Sequence, residues 1–284
     1  FGDVLDYLAG DPDTGAILLY IGAATGARKF MSAARAAARN KPVIAIKAGR
    51  MPAGAAAAAS HTGALAGADE VYDAAIRRAG MLRVDSIEDL FNAAETLARV
   101  RARSRDALTV LTNGGGAGVM AADALGAAGR SLAPLSEETR ARRDAVLPAT
   151  GSHGNPLDII GDAPRERYRQ ALEAVLADPA GGNVLLLHAP TAIVSNRTIA
   201  EELAPLLTAA RQPVLTSWIG GSDVLAGREV FEAASVPTFD TPEAAVSAHM
   251  QLVRYRQNQE ALLQQPPSVP QEFKADRAAA REVI

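Results

Sequence analysis

The chain has 284 residues, 48% of them hydrophobic and 21% charged, and a formal net charge of −3. That is apolar material for two cores, with no field strong enough to gather nucleic acid. The absence of cysteine excludes disulfides and thiolate chemistry. With no apolar run of about eighteen residues and no basic leader ahead of an apolar core, neither a membrane span nor a signal peptide is expected, and the sequence reads as cytoplasmic.

The first stretch, GDVLDYLAG (2–10), reads as a helix that would ordinarily follow a strand, so a strand is expected before Phe1 and the chain reads as the middle of a longer one. AILLYI (16–21) and PVIAIK (42–47) are short, continuously apolar and bounded by Gly, Pro or Asn, as strands covered on both faces are. A helical pattern over 27–40 separates them. After the second strand comes a small-residue stretch, AGRMPAGAAAAAS, which reads as a loop, and then helical patterns over 68–79 and 86–100.

Charge crowds at RVRARSRDA (99–107), a solvated helix end and linker, and a boundary is placed there, at about residue 103. LTVLT (108–112), NVLLLH (183–188) and PVLTSW (213–218) are further strands, interleaved with helices over 116–128, 165–177, 195–210 and 241–256. Strand then helix, repeated, predicts doubly wound parallel sheets. Beyond Tyr255 the text turns polar and proline-interrupted, as a helix running into a linker would.

Four histidines are candidates for chemistry. His249 lies in an amphipathic helix and reads as a packing residue. His188 ends an apolar strand and His153 occupies the loop ATGSHGNPLD, both places where ligands bind in such sheets. No metal-binding pair stands at helical spacing. His61 sits between Ser60 and Thr62 in the small-residue stretch, where an accessible, partly neutral imidazole is a possible nucleophile. Composition alone leaves equal room for an ordinary loop with an incidental histidine.

The second candidate is LTNGGGAGVMAADAL (111–125), in which a strand runs through Asn113, Gly114, Gly115 and Gly116 into a helix. Backbone N–H groups and the helix's positive end converge there on a place for an anion the size of phosphate. The pattern lacks the Lys-Ser/Thr of a nucleotide P-loop and does not match the dinucleotide fingerprint. A tight turn that binds nothing is the competing reading.

Residues 41–98, from KPVIAIKAGRMPAGAAAAASHTGALAGADE onward, resemble the phosphohistidine domain of the nucleoside-diphosphate-forming acyl-CoA synthetases, the superfamily of succinyl-CoA synthetase. LTNGGGAGVMAADAL, NPLDI, VLLLHAPTA and TPEAAVSAHMQLVRYRQNQ resemble its succinyl-CoA-ligase-like domain, and the YRQNQ ending is similar to the bifunctional acetate–CoA ligase and GNAT-type protein lysine acetyltransferase group.

The resemblance implies two flavodoxin-like doubly wound parallel-sheet domains, 1–103 and 104–258, with 259–284 as a linker toward an ATP-grasp domain. It implies an ADP-forming acyl-CoA synthetase acting on acetate or another short acid. His61 would take a phosphoryl group from an acyl phosphate and hand it to ADP. Two helix amino ends would hold the phosphohistidine: the turn after Ile21, with Gly22 and Ala23, and the turn from Asn113 to Gly116. Ser60, Thr62 and Gly63 would flank the phosphoryl group.

The resemblance further implies CoA, ATP or ADP and Mg²⁺ in the full-length enzyme, with phosphate or sulfate possible at the helix amino ends of this piece and no cofactor or metal of its own. Expected partners are a CoA-binding Rossmann domain and the ATP-grasp domain in the same polypeptide, possible addition of a GNAT domain, and a second copy of the chain in a homo-oligomer, with neither nucleic acid nor membrane. The family commonly has a glutamate after the first strand to orient the histidine; this chain has Gly22. A rival reading follows from that departure: a degenerate synthetase region sensing acyl-CoA or nucleotide for an attached acetyltransferase.

Overall fold

Two parallel sheets form, one from each half of the chain. The computed structural model describes residues 1–62, 68–100, 104–144, 154–179 and 181–264, with the backbone alone at 59–62 and 142–144. The first half runs α1 (Gly2–Gly10), β1 (Ile17–Ile21), α2 (Ala27–Asn40), β2 (Val43–Lys47), α3 (Pro52–Thr62), α4 (Asp69–Arg78), β3 (Leu82–Val84) and α5 (Ile87–Arg99). Its sheet has the order β1-β2-β3, with Ile17 opposite Val43, Ile21 opposite Lys47 and Ile44 opposite Leu82.

The second half runs β4 (Leu108–Thr112), α6 (Gly115–Ala127), α7 (Glu137–Asp144), β5 (Leu157–Asp158), α8 (Arg165–Leu176), β6 (Asn183–His188), α9 (Asn196–Ala209), β7 (Val214–Trp218), a 3₁₀ turn (Gly221–Val224), α10 (Leu225–Ala233), β8 (Thr238–Phe239) and α11 (Pro242–Leu263). Its five strands lie in the order β5-β4-β6-β7-β8, all parallel. That is the flavodoxin-like order, in which the chain reverses direction across the sheet between β4 and β6 and leaves a crevice at their carboxyl ends.

The buried strands explain the order. Every residue of β2, β4, β6 and β7 is buried, so only strands apolar on both faces could occupy these places. On one face of the first sheet Ile17, Leu19, Ile21, Val43 and Ala45 pack on Phe30, Ala33, Ala34 and Ala37, whose small side chains bring α2 close. On the other face Ile44, Ile46, Leu82 and Val84 meet Leu90 and Ala93 of α5. Helix α5 starts on Ser86, whose hydroxyl accepts from the Asp89 amide at 3.0 Å, and α11 starts on Thr241, which accepts from Ala244 at 3.1 Å.

Two expectations change. The stretch read as a loop after β2 is helical from Pro52 to Thr62. Alanine is the strongest helix former and proline suits a first helical position, and both outweigh the small-residue character that suggested a loop. The linker expected from residue 259 does not begin there, because α11 continues to Leu263 and lies against the first half. Leu262 is buried in the first sheet's core, while Asn258 Nδ2 donates to the Met81 carbonyl and Gln259 Nε2 to the Gly80 carbonyl, each at 2.7 Å. Gly80 has φ +77° and a Cβ there would stand 2.5 Å from Leu262 Cδ2, so the turn can be glycine alone. Gln251 Nε2 and Ser247 Oγ add bonds to Asp89 Oδ1 at 2.9 and 3.1 Å. The polar text of YRQNQ is thus a clasp between the halves. Residues 265–284 lie outside the described residues.

His249 faces inward from α11 and is fully buried. Asn183 Nδ2 donates to its Nδ1 at 3.0 Å and to Ser104 Oγ at 2.9 Å, while Asn183 Oδ1 accepts from the Arg105 amide at 2.9 Å. Burial pushes the His249 pKa down to about 4 from 6.5. The unfolded chain therefore binds a proton that the folded chain refuses between these values. The stabilisation is complete above about pH 6.5 and is lost as pH falls toward 4, a difference of about 3 kcal/mol. His249→Gln, which keeps an acceptor for Asn183, is expected to flatten the urea midpoint across that window relative to the parent. Parallel profiles for the two proteins would refute the assignment.

Candidate anion site at the carboxyl ends of the strands

The carboxyl end of β4 leads into the glycine turn. Asn113 is 3% exposed and bound in both directions to the end of β6, its Nδ2 donating to the Ala189 carbonyl and its Oδ1 accepting from the Ala189 amide, each at 2.8 Å. It ties the two strands together at the crevice, and its amide is spent on that. The Gly114 amide is likewise spent, donating to Thr112 Oγ1 at 3.0 Å. Gly115 and Gly116 are the first residues of α6, whose N–H groups have no acceptor within the helix. The α6 first turn contains no acidic residue and no side-chain cap, and the carboxylate beside its positive end is that of Asp158, against Gly115.

The glycines have distinct reasons. A Cβ at Gly118 would lie 3.0 Å from Pro156 and 3.1 Å from Thr112, so glycine lets α6 seat on the sheet. A Cβ at Gly115 would meet Asp158 Oδ2 at 2.9 Å, whereas one at Gly116 meets nothing within 4 Å among the described residues. Asp158 Oδ1 accepts from the Ile160 amide at 2.9 Å, and Ile160 has φ +69°, a costly conformation for a β-branched residue. Gly116→Val therefore obstructs the amides without a clash. It is expected to weaken phosphate affinity about tenfold with the fold intact, measured as broadening of the ³¹P resonance; an unchanged affinity would remove this turn from the site.

In the first half, Gly22 and Ala23 follow β1, but α2 begins only at Ala27. Its free amides are accordingly those of Ala27, Arg28 and Lys29, while Gly22 and Ala23 lie in the connection leading to them. This first turn too has no acidic residue and no side-chain cap. The Ala24 amide donates to Tyr72 Oη at 2.9 Å, and the Lys47 ammonium stands 4.7 Å from the centre of the Tyr72 ring. The sequence signal for Lys47 is a charge closing the otherwise apolar run PVIAIK; Tyr72 carries none. Ser60, His61 and Thr62 are the last three residues of α3, their side chains outside the description. Gly63 and His153 lie outside the described residues.

His188 is removed from the list of ligands. Its Nδ1 accepts from Tyr168 Oη at 2.7 Å, and its Nε2 donates to Asn196 Oδ1. The ring stacks on Trp218 with centroids 4.7 Å apart, and burial pushes its pKa down. Both nitrogens are occupied, so the residue holds the core beneath the crevice together.

Two parallel sheets, each with an uncapped helix amino end beside the carboxyl edge of its strands, define an α/β protein. Residues 1–97 match the succinyl-CoA ligase like flavodoxin domain and residues 108–274 the Ligase-CoA domain. The chain is 39% identical over 253 residues to ADP-forming acetate–CoA ligase I of Archaeoglobus fulgidus, covering 89% of this chain and 36% of that protein. It is 34% identical over 255 residues to the alpha subunit of ADP-forming acetate–CoA ligase I of Pyrococcus furiosus, covering 89% and 55%. The solved acetyl-coenzyme A synthetase 1 of Ca. Korarchaeum cryptofilum, in complex with phosphate and ADP, superposes with a TM-score of 0.85 at 32% identity over 92% of this chain and 57% of that one. The chain belongs to the succinyl-CoA ligase family, carrying its flavodoxin-like domain and its Ligase-CoA domain. It spans between about a third and just over half the length of these relatives.

Proposed function

We propose that this chain is the phosphoryl-relay portion of an ADP-forming acyl-CoA ligase acting on acetate or another short acid, with His61 as the relay. The observation that carries the reading is the pair of uncapped helix amino ends, after β1 and after β4, in a chain that superposes on a ligase holding phosphate and ADP. In the CoA-releasing direction, acyl-CoA and phosphate give acyl phosphate and CoA. A neutral His61 nitrogen then attacks phosphorus, the bond to the acyl oxygen breaks, the carboxylate leaves, and the proton on the other ring nitrogen passes to a base. ADP takes the phosphoryl group from nitrogen, giving ATP and free histidine.

The amide-rich helix ends stabilise the phosphoryl oxygens in both transfers, as preorganised dipoles do. CoA is bound by a Rossmann domain, and ADP with Mg²⁺ by an ATP-grasp domain, each in the same polypeptide or a partner subunit. The setting is cytoplasmic; among the described residues no helix is long and apolar enough to cross a membrane.

Full-length protein given ³²P-acyl phosphate, or ATP with Mg²⁺, is expected to carry an acid-labile, base-stable label on the peptide containing His61. A label on another residue, or none, would reject the relay. Gly22 is the one feature favouring a sensor that has lost turnover, and an unlabelled protein that still binds acyl-CoA would be that sensor.

A further inference from the structure

Lys47 closes β2 and is 2% exposed. Its ammonium donates to the neighbouring Ala48 carbonyl and rests against the Tyr72 ring, and among the described residues it forms no ion pair. The nearest relevant carboxylate, Asp69, is already engaged by Arg83 at 2.6 Å and Arg50 at 3.9 Å. A buried ammonium with no carboxylate is costly to fold around, and burial lowers its pKa accordingly. Replacement by an apolar residue would relieve that cost, so packing does not explain the choice.

Its position does. Lys47 is the register partner of Ile21, the Ala48 amide donates to the Ile21 carbonyl at 2.9 Å, and Gly22 follows directly. The Tyr72 ring that covers the ammonium accepts, through its hydroxyl, from Ala24 in the connection to α2. Lys47 is thus built into the floor beneath the connection leading to one helix amino end, and the segment following it leads to His61. From residue 14 to residue 68 there are seven Lys and Arg and no Asp or Glu, and Asp69, the carboxylate whose charge reaches Lys47, is shared with Arg83 and Arg50.

We infer that Lys47 is a positioning residue of the phosphoryl site, a buried cation whose counter-charge is the phosphoryl dianion, free as phosphate or carried on His61. The inference rests on the relay reading for its ligand. Being covered by Tyr72, the ammonium acts through its field. It strengthens the positive end of α2 on the side where the phosphoryl group is to dock.

The test uses full-length protein and inorganic phosphate as probe. Lys47→Met is expected to weaken phosphate binding, read from ³¹P line broadening, about ten- to hundredfold. The phosphate KM should rise far more than kcat falls, and the thermal midpoint should hold or increase because an uncompensated buried charge has gone. Lys47→Arg should recover part of the affinity. Repeating the titration on a His61→Ala background separates the sources: a loss that persists there belongs to free phosphate, and one seen only as faster hydrolysis of the label belongs to phosphohistidine.

Unchanged phosphate affinity together with an unchanged lifetime of the label overturns the inference, as does a fall in stability with KM unmoved. Lys47→Gln is run in parallel; if both neutral variants fail to fold, a structural role is the whole account and the inference falls. A parent protein that binds phosphate through Lys47 but never labels at His61 would reject the relay and leave the cation site standing.

Discussion

His61→Ala in the full-length protein is expected to abolish the phosphohistidine label and lower overall turnover by at least about four orders of magnitude, the usual cost of removing a nucleophile. No other described histidine can substitute. His188 has both ring nitrogens occupied in the core, and His249 is buried beneath α11 with its pKa held near 4. The substitution should leave the fold alone, since it adds an alanine near the end of a helix already built on five consecutive alanines. The thermal midpoint of the variant is therefore the control. Formation of acyl phosphate from acyl-CoA and phosphate precedes the relay and should survive, so release of CoA in a single turnover separates the two steps. Turnover within tenfold of the parent would show that phosphoryl transfer to ADP proceeds without this residue.

The sequence was most legible where one physical requirement dominates. Strands buried on both faces must be apolar throughout, and AILLYI, PVIAIK, LTVLT, NVLLLH and PVLTSW all became strands within a residue of their expected ends. Strands β3, β5 and β8 escaped because they are only two or three residues long, too short for a pattern, and are fixed by the neighbours they pair with. Helix α3 was misread because alanine signals small size and helix propensity at once.

The glycine turn was visible, but the division of labour inside it was not. The Asn113 side chain is committed to Ala189, a contact across 76 residues. The clasp between Gln259 and Gly80 spans 179 residues and was likewise invisible to local reading. Lys47 was legible in hindsight alone: a charge at a strand's end is ordinarily exposed, and its burial is a tertiary fact.

Gly22→Glu is expected to speed phosphorylation of His61. The family resemblance implies a glutamate at that place, and a carboxylate accepting from one imidazole nitrogen fixes the tautomer, frees the other nitrogen to attack phosphorus and takes up the proton released by the transfer. An orienting base of this type contributes up to about two to three orders of magnitude, which bounds the gain. The substitution is sterically open: no atom of the described residues lies within 4 Å of a Cβ built at Gly22, and its backbone is not left-handed. From Thr14 to Ala68 the chain offers no native carboxylate for the task. The new charge would arrive next to Ile21, the register partner of Lys47, so it should also offset part of the cation's field. Phosphate KM is then expected to rise while the single-turnover rate from acyl phosphate rises too, a split that a general improvement in stability could not produce. A variant that folds normally yet labels no faster than the parent would mean that a carboxylate elsewhere already orients His61. Asp158, half-buried beside the first turn of α6, would be the first to examine, by asking whether Asp158→Asn slows labelling of the parent and Gly22→Glu restores it.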